Sequence, residues 1–390
     1  MADQDPDDLP FGGLPVFGDL ARAFAAQGPL HWDAARQFAV LTATGGTPEP
    51  NVDPAVRFAL DELARIADPH VQAVSGLATG PDGRTPAIVP VTPGVWAQRT
   101  LEAYRPLFTE LATSLAPAPA DDDETTDPAA AMFAGLSRMM APAMLGMAVG
   151  SMVGQLARRA FGQYDLPIPR PVADELLVVT DAIDSFASEW ELAVDEMRLW
   201  VVTQELTGHA LLRVAHLRDR LTDLVRRHVG AFRPDPSAVV DKLGGLELTS
   251  GDPMSALNAV LGDPEVLLGA VRTPEQDALA PALDAIVALV VGYVDHVVDA
   301  VASRVLGGGG RIAEAVRRRR VEASPDDVFV ERLLGLRLTR EQVQRGRAFV
   351  DGVIERAGSD GLTPLLIDAG ALPTPAELDA PGLWLARLEL

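Results

Sequence analysis

The chain contains no cysteine. Disulfides, thiolate zinc sites, Fe–S clusters held by Cys and cysteine nucleophiles are thereby excluded. A transition metal would have to rest on imidazole and carboxylate, and only six histidines are present: His31, His70, His209, His216, His228 and His296. Lysine is scarcer still. Lys242 is the single one, and Asp plus Glu outnumber Lys plus Arg by 55 to 33. The formal charge of −22 opposes general affinity for nucleic acid or an anionic membrane. Aromatic residues make up only 5% of a chain that is 48% hydrophobic. The core must therefore rely on Ala, Leu and Val, while the wealth of Ala, Leu, Arg and Glu with little Ile favours helices. No G-x-S-x-G elbow, P-loop or G-x-G-x-x-G after a strand occurs, and the glycines 307–310 lack the Lys and strand that phosphate binding needs. Residues 1–8 are acidic and lack the basic and apolar regions of a signal peptide, so a cytoplasmic location is expected.

Residues 1–15 read as a disordered, Pro/Gly-rich start, 16–115 as an N-terminal helical region, 116–131 as an acidic Pro/Ala linker or loop, and 132–390 as the main domain. Within the first region, helices are expected over 17–26, 33–42, 53–67 and 92–115, the last kinked or split at Pro106, with a short strand at 87–89. The acidic run 121–124 is read as solvated linker. Met139 to Ala157 is the most apolar stretch and just long enough to span a bilayer. Gly, Ala and Met dominate it, Pro142, Ser151 and Gln155 interrupt it, and a buried helix is expected. Gly146, Gly150 and Gly154 form a ridge on which a second helix can dock closely. A strand is expected at 176–179 and a short helix at 184–190. Asp195 is expected to cap a helix running to Leu212. Helices follow over 216–229, through 274–306 with its main part starting at Pro281, over 339–356, and near Trp384. Short helices are expected within 237–275. The basic cluster 317–320 suits a helix C-terminus that pairs with carboxylates.

The chemistry centres on residues 199–210, LWVVTQELTGHA. In the zinc-hydrolase pattern H-E-x-x-H, two His one helical turn apart hold zinc, and the Glu activates bound water. Here Glu205 is present, but Gln204 and Gly208 stand at the ligand positions. Gln is a poor zinc ligand and Gly has no side chain. His209 lies one residue further on, about 100° round the helix.

Eight runs keep their order along the chain: GPLHWDAARQ (28–37), NVDPAVRFALDELARIADPHVQ (51–72), WAQRTLEAYRPLF (96–108), GSMVGQLARRAFGQYDLPIPRP (150–171), EMRLW (196–200), GDPEVLLGAV (262–271), GYVDHVVD (292–299) and FVERLLGL (329–336). In these runs the chain resembles an uncharacterised bacterial family of zincin-like, zinc-dependent metallopeptidases or hydrolases. Some members are associated with deazaflavin coenzyme biosynthesis, which nothing in these residues requires. The resemblance implies a mainly α, zincin-like architecture with a small β element beside the motif helix. It implies Glu205 as a vestigial general base, Gln204 and Gly208 as lost ligand positions, and His209 as the additional His after the motif. Val291 stands where many relatives carry Glu as a third ligand.

The expected function is therefore a zincin-like protein that has lost its zinc site and acts as a non-catalytic binding or regulatory protein for a protein or peptide partner. Neither nucleic acid nor membrane is expected as a partner, and no cofactor is expected. The alternative is an active zinc-dependent hydrolase using displaced ligands or supporting groups drawn from His209, Asp295 and His296. A catalytic zinc site takes three protein ligands, and the motif segment offers at most one imidazole.

Overall fold

A computed structural model describes residues 28–116, 128–171, 173–233, 273–307, 309–321, 333–336 and 338–389, with side chains from 140 onward in the helix that begins at Pro128. The helix expected at 17–26, the disordered start, the acidic run at 121–124 and the short helices within 237–272 lie outside these residues.

The first helix packs through small residues. Helix α1 (Trp32–Thr44) is capped by His31, whose Nδ1 accepts from Ala34 N, and it buries Ala35, Ala39 and Ala43. Helix α2 spans Pro54–Ser75 behind an Asp53 cap. It runs two turns past the expected end, through Pro69. The carbonyl that Pro69 leaves unbonded belongs to exposed Arg65, where water can take its place. Strand β1 (Ala87–Pro90) leads to α3 (Pro93–Ala103), capped by Thr92, and α4 (Arg105–Ser114). The chain breaks at Tyr104, so Pro106 stands in the first turn of α4, where its missing N–H is harmless.

Helix α5 (Pro128–Arg159) carries the glycine ridge. A Cβ built on Gly146, Gly150 or Gly154 would lie 2.5, 2.2 or 2.5 Å from the carbonyl oxygens of His31, Ala35 and Ala39. The ridge thus receives the backbone of α1, turn for turn. A hydrogen bond from His31 N to Pro142 O (3.0 Å) fixes the register. α5 and α9, introduced below, are long and apolar enough to cross a membrane; 50% and 83% of their apolar windows are buried within the protein.

Strand β2 (Glu175–Val178) pairs parallel with β1, Ala87 opposite Glu175 and Pro90 opposite Val178. Helix α6 (Thr180–Glu189) follows, then α7 (Val194–Leu212), the motif helix. Ala193, not Asp195, occupies its N-cap. Asp195 and Glu196 sit in the first turn, where acidic charge suits the helix dipole. From Leu199 to Leu212 every residue of α7 is buried. It packs on α2, α6, β2 and three later helices, so this stretch leaves no face for solvent. Its threonines are satisfied within the helix, Thr203 and Thr207 each donating to the carbonyl four residues back.

Helix α8 (Ala215–Gly230) precedes α9 (Pro274–Val305). A reciprocal cap between Thr273 and Gln276 starts α9 at Pro274, and Pro281 lies inside it rather than at its beginning. The carbonyl freed there belongs to exposed Asp277. Helix α10 (Gly309–Val321) returns the basic cluster to α9, where Arg317 pairs with Asp299 and Arg320 with Asp295. Helix α11 (Arg340–Ala357) meets α9 glycine to glycine, a Cβ on Gly346 falling 1.8 Å from Ala288 O. Three short helices, α12 (Thr363–Ile367), α13 (Pro375–Leu378) and α14 (Pro381–Leu388), close the chain. Trp384 is fully buried against Phe349 and donates to Ala371 O at 2.6 Å. One continuous hydrophobic cluster joins residues from Leu30 to Trp384, and the architecture is mainly α with a two-stranded parallel sheet.

Candidate functional site

The site is built where the segment between α5 and β2 crosses the motif helix. Residues 161–165, Phe-Gly-Gln-Tyr-Asp, are wedged between β2 and α7. Val179 N donates to Phe161 O (2.8 Å), Trp96 Nε1 to Gly162 O (3.0 Å), and Leu177 N to the side-chain oxygen of Gln163 (3.2 Å). These bonds fix the segment on the sheet side.

Glu205 fixes it on the helix side. Its carboxylate is 0% exposed and accepts from Gln163 N at 2.9 Å and Tyr164 N at 3.1 Å, both on Oε2, with Oε1 3.3 Å from Tyr164 N. Gly162 makes the approach possible, since a Cβ there would lie 2.2 Å from the carboxyl carbon. Burial pushes the Glu205 carboxyl well above the usual carboxylate range, and Asp165 adds to the rise; the two backbone N–H groups and Arg170 oppose it.

Tyr164 then covers the second motif position. A Cβ on Gly208 would meet Tyr164 Cβ and Cγ at 3.2 Å, so the phenol ring lies against the place where a second imidazole would begin. Its hydroxyl reaches His209 Nδ1 at 2.9 Å. His209 is 3% exposed, its Nε2 is buried without a hydrogen-bond partner, and its pKa falls to about 4. Burial is the main cause, the charge of Arg213 adds to it, and Asp174 works against it.

The other sequence candidates are dispersed. Gln204 and Val291 are buried, on α7 and α9, and those two helices pack together. Asp295 is held by Arg320 through two 2.9 Å bonds. His296, next along α9, is depressed by burial and feels Asp351, Asp299 and Arg347, groups of α9 and α11. Among the described residues, no three of His, Cys, Asp and Glu converge as a metal-binding group.

Residues that sequence reasoning passed over are Gly162, Gln163, Tyr164 and Arg213. The first three lie inside the run GSMVGQLARRAFGQYDLPIPRP, quoted above only as a mark of resemblance. No residue type marks them, because Gln163 and Tyr164 meet Glu205 through backbone N–H groups and Gly162 acts by the side chain it lacks.

Comparison with curated proteins gives no match. Among solved structures, the chain is similar to a protein of Chloroflexus aurantiacus described as a "putative hydrolase with a novel fold". The TM-score is 0.62 at 22% identity, over 92% of this chain and 99% of that one, a likeness of fold. The pattern of the zincin-like metallopeptidases matches residues 30–385, and the chain belongs to that family.

Proposed function

We propose that this protein is a zincin-like family member whose zinc site has been dismantled, and that it works as a non-catalytic binding or regulatory protein for a protein or peptide partner. One observation carries the reading. The Glu205 carboxylate, which in a working H-E-x-x-H site would face zinc-bound water, is spent on the backbone N–H groups of Gln163 and Tyr164. A base so placed is committed to two backbone donors and has no exposed surface on which to meet a substrate. Gln204 and Gly208 offer no imidazole, and the Tyr164 ring lies against Gly208. The cytoplasmic setting and the lack of any cofactor requirement belong to this proposal.

The alternative, an active hydrolase with displaced ligands, draws on one feature. His209 buries an Nε2 without a partner, as an imidazole ligand awaiting a metal would. Zinc content decides between the two. The purified protein, dialysed and measured by elemental analysis, is expected to hold zinc far below one equivalent. Near-stoichiometric zinc that disappears in His209→Ala would overturn the proposal. Calorimetric zinc titration extends the test. Restoring Gln204→His and Gly208→His is expected to bring tight binding only when Tyr164→Ala removes the ring from beside position 208.

A further inference from the structure

Away from the motif helix, the surface carries a groove of about 840 Å³. It runs along α1, between that helix, the loop after it and the start of α3. Its walls are apolar, formed by Leu41, Val91 and Val95 with Pro48, Pro50 and Pro90. Leu41 is 53% exposed and Val95 39%, so two large apolar side chains stand in water there. Concave, mostly apolar sites of this size are the ones that take a ligand.

The lining selects against a charged occupant. Among the described residues that form it, Arg36 and Glu49 alone are charged, one of each sign. The Glu49 carboxylate accepts from Gly94 N at 3.0 and 3.2 Å, at the start of α3, and Arg36 pairs with Asp33. In a chain of charge −22, this neutral trough suits an uncharged segment. Gln37, Asn51 and Gln98 are exposed along it, and their carboxamides make no hydrogen bond among the described residues. Each can both donate and accept, which is what the backbone of an extended peptide requires.

We propose that the groove is filled in cis by the chain's own residues 9–16, Leu-Pro-Phe-Gly-Gly-Leu-Pro-Val, which lie outside the described residues. The segment is uncharged in a chain that is 23% charged, and it offers Leu9, Phe11, Leu14 and Val16 to the apolar walls. Pro10 and Pro15 disfavour a helix and so keep its backbone groups available to the carboxamides. It is also tethered next to the groove, because the described chain starts at Gly28, just before α1. The intervening residues 17–27 span up to about 36 Å, nearly twice the roughly 20 Å length of α1. Such a tether holds the segment at an effective concentration of about millimolar, so a weak contact is enough to fill the groove. A partner segment of the same chemistry has to displace it. The inference holds with or without zinc, and its failure leaves the loss of the zinc site untouched.

The test uses the full chain. The sequence has no cysteine, so Asp8→Cys gives a single site for a nitroxide spin label immediately before the segment. The labelled protein is expected to lose the methyl NMR signals of Leu41 and Val95, and to regain them when Phe11→Asp and Leu14→Asp are added. Leu41→Asp, at a side chain already exposed, should restore the Val95 signal with the circular dichroism spectrum unchanged. Signal loss that survives both sets of variants overturns the inference. Signal loss only in unlabelled chains mixed with labelled ones also overturns it and makes the occupant a second copy. No loss in the labelled chain overturns it too, and leaves the groove to a separate partner.

Discussion

Two contacts hold the motif helix and its surroundings in place, and they are made of opposite materials. Between α1 and α5 the backbones touch directly, Gly146, Gly150 and Gly154 admitting the carbonyls of His31, Ala35 and Ala39. No side-chain polar group is needed, and the periodicity of small residues specifies the register. Between α7 and the 161–165 segment the contact is polar. One buried carboxylate takes two backbone donors, and one glycine makes room for it. The first contact tolerates any neighbour that is small. The second depends on a particular functional group, and so it can preserve Glu205 in a protein that has no catalytic use for it.

The largest effect should come from breaking the polar contact. Glu205→Ala strands the buried N–H groups of Gln163 and Tyr164 and opens a cavity, a combination expected to cost about 3–5 kcal/mol. Glu205→Gln keeps an acceptor oxygen in place and should cost about 1 kcal/mol. Urea denaturation of the two variants gives the ranking. Equal losses would show that the carboxylate's hydrogen bonds to the segment are not what the helix uses.

The glycine seam should fail next. Gly150→Leu drives a branched side chain into the Ala35 carbonyl, already 2.2 Å from an ideal Cβ. Overpacking of this kind costs about 3 kcal/mol, at the upper end of its usual range, because backbone rather than a flexible side chain has to move. A fall in denaturation midpoint smaller than that of Glu205→Gln would mean the two helices separate without penalty.

These two contacts also differ in how far they could be read from sequence. The ridge was legible because GxxxGxxxG repeats at the helical period and its meaning is steric. The partner helix was not named by the sequence, since Ala35, Ala39 and Ala43 look like any alanines on an amphipathic helix. Most helices were legible from period and caps. The misjudged boundaries, at Pro69 and Pro281, share a cause: proline ends a helix only where the lost bond cannot be replaced by water, and both freed carbonyls belong to exposed residues. The missing ligands at Gln204 and Gly208 were read directly from residue type. The destination of Glu205 was illegible because its partners are backbone N–H groups, which every residue but proline carries. The role of Tyr164 depended on a contact across 45 residues to His209, which no local pattern encodes.

The effect that best separates the polar contact from the apolar one is its pH dependence. His209 has a folded pKa of about 4 against an ordinary value of 6.5, so the folded protein refuses a proton that the unfolded chain accepts. Its contribution is fully present above pH 6.5 and is lost as the pH falls towards 4, at most about 3 kcal/mol. Glu205 has the opposite sign. Its folded pKa is raised, so its contribution is intact below 4.5 and is lost as the pH rises through the folded value. His296 is depressed as well, which makes variant against parent the informative comparison. His209→Gln should flatten the loss of stability between pH 6.5 and 4, while Glu205→Gln should gain on the parent as pH increases. Gly150→Ala, which perturbs only the seam, should shift the whole stability profile downward without changing its slope. Denaturation midpoints of the parent and the three variants at pH 4.5, 5.5, 6.5 and 8 measure all of this. A slope for His209→Gln that parallels the parent would mean the imidazole is not buried as a neutral group.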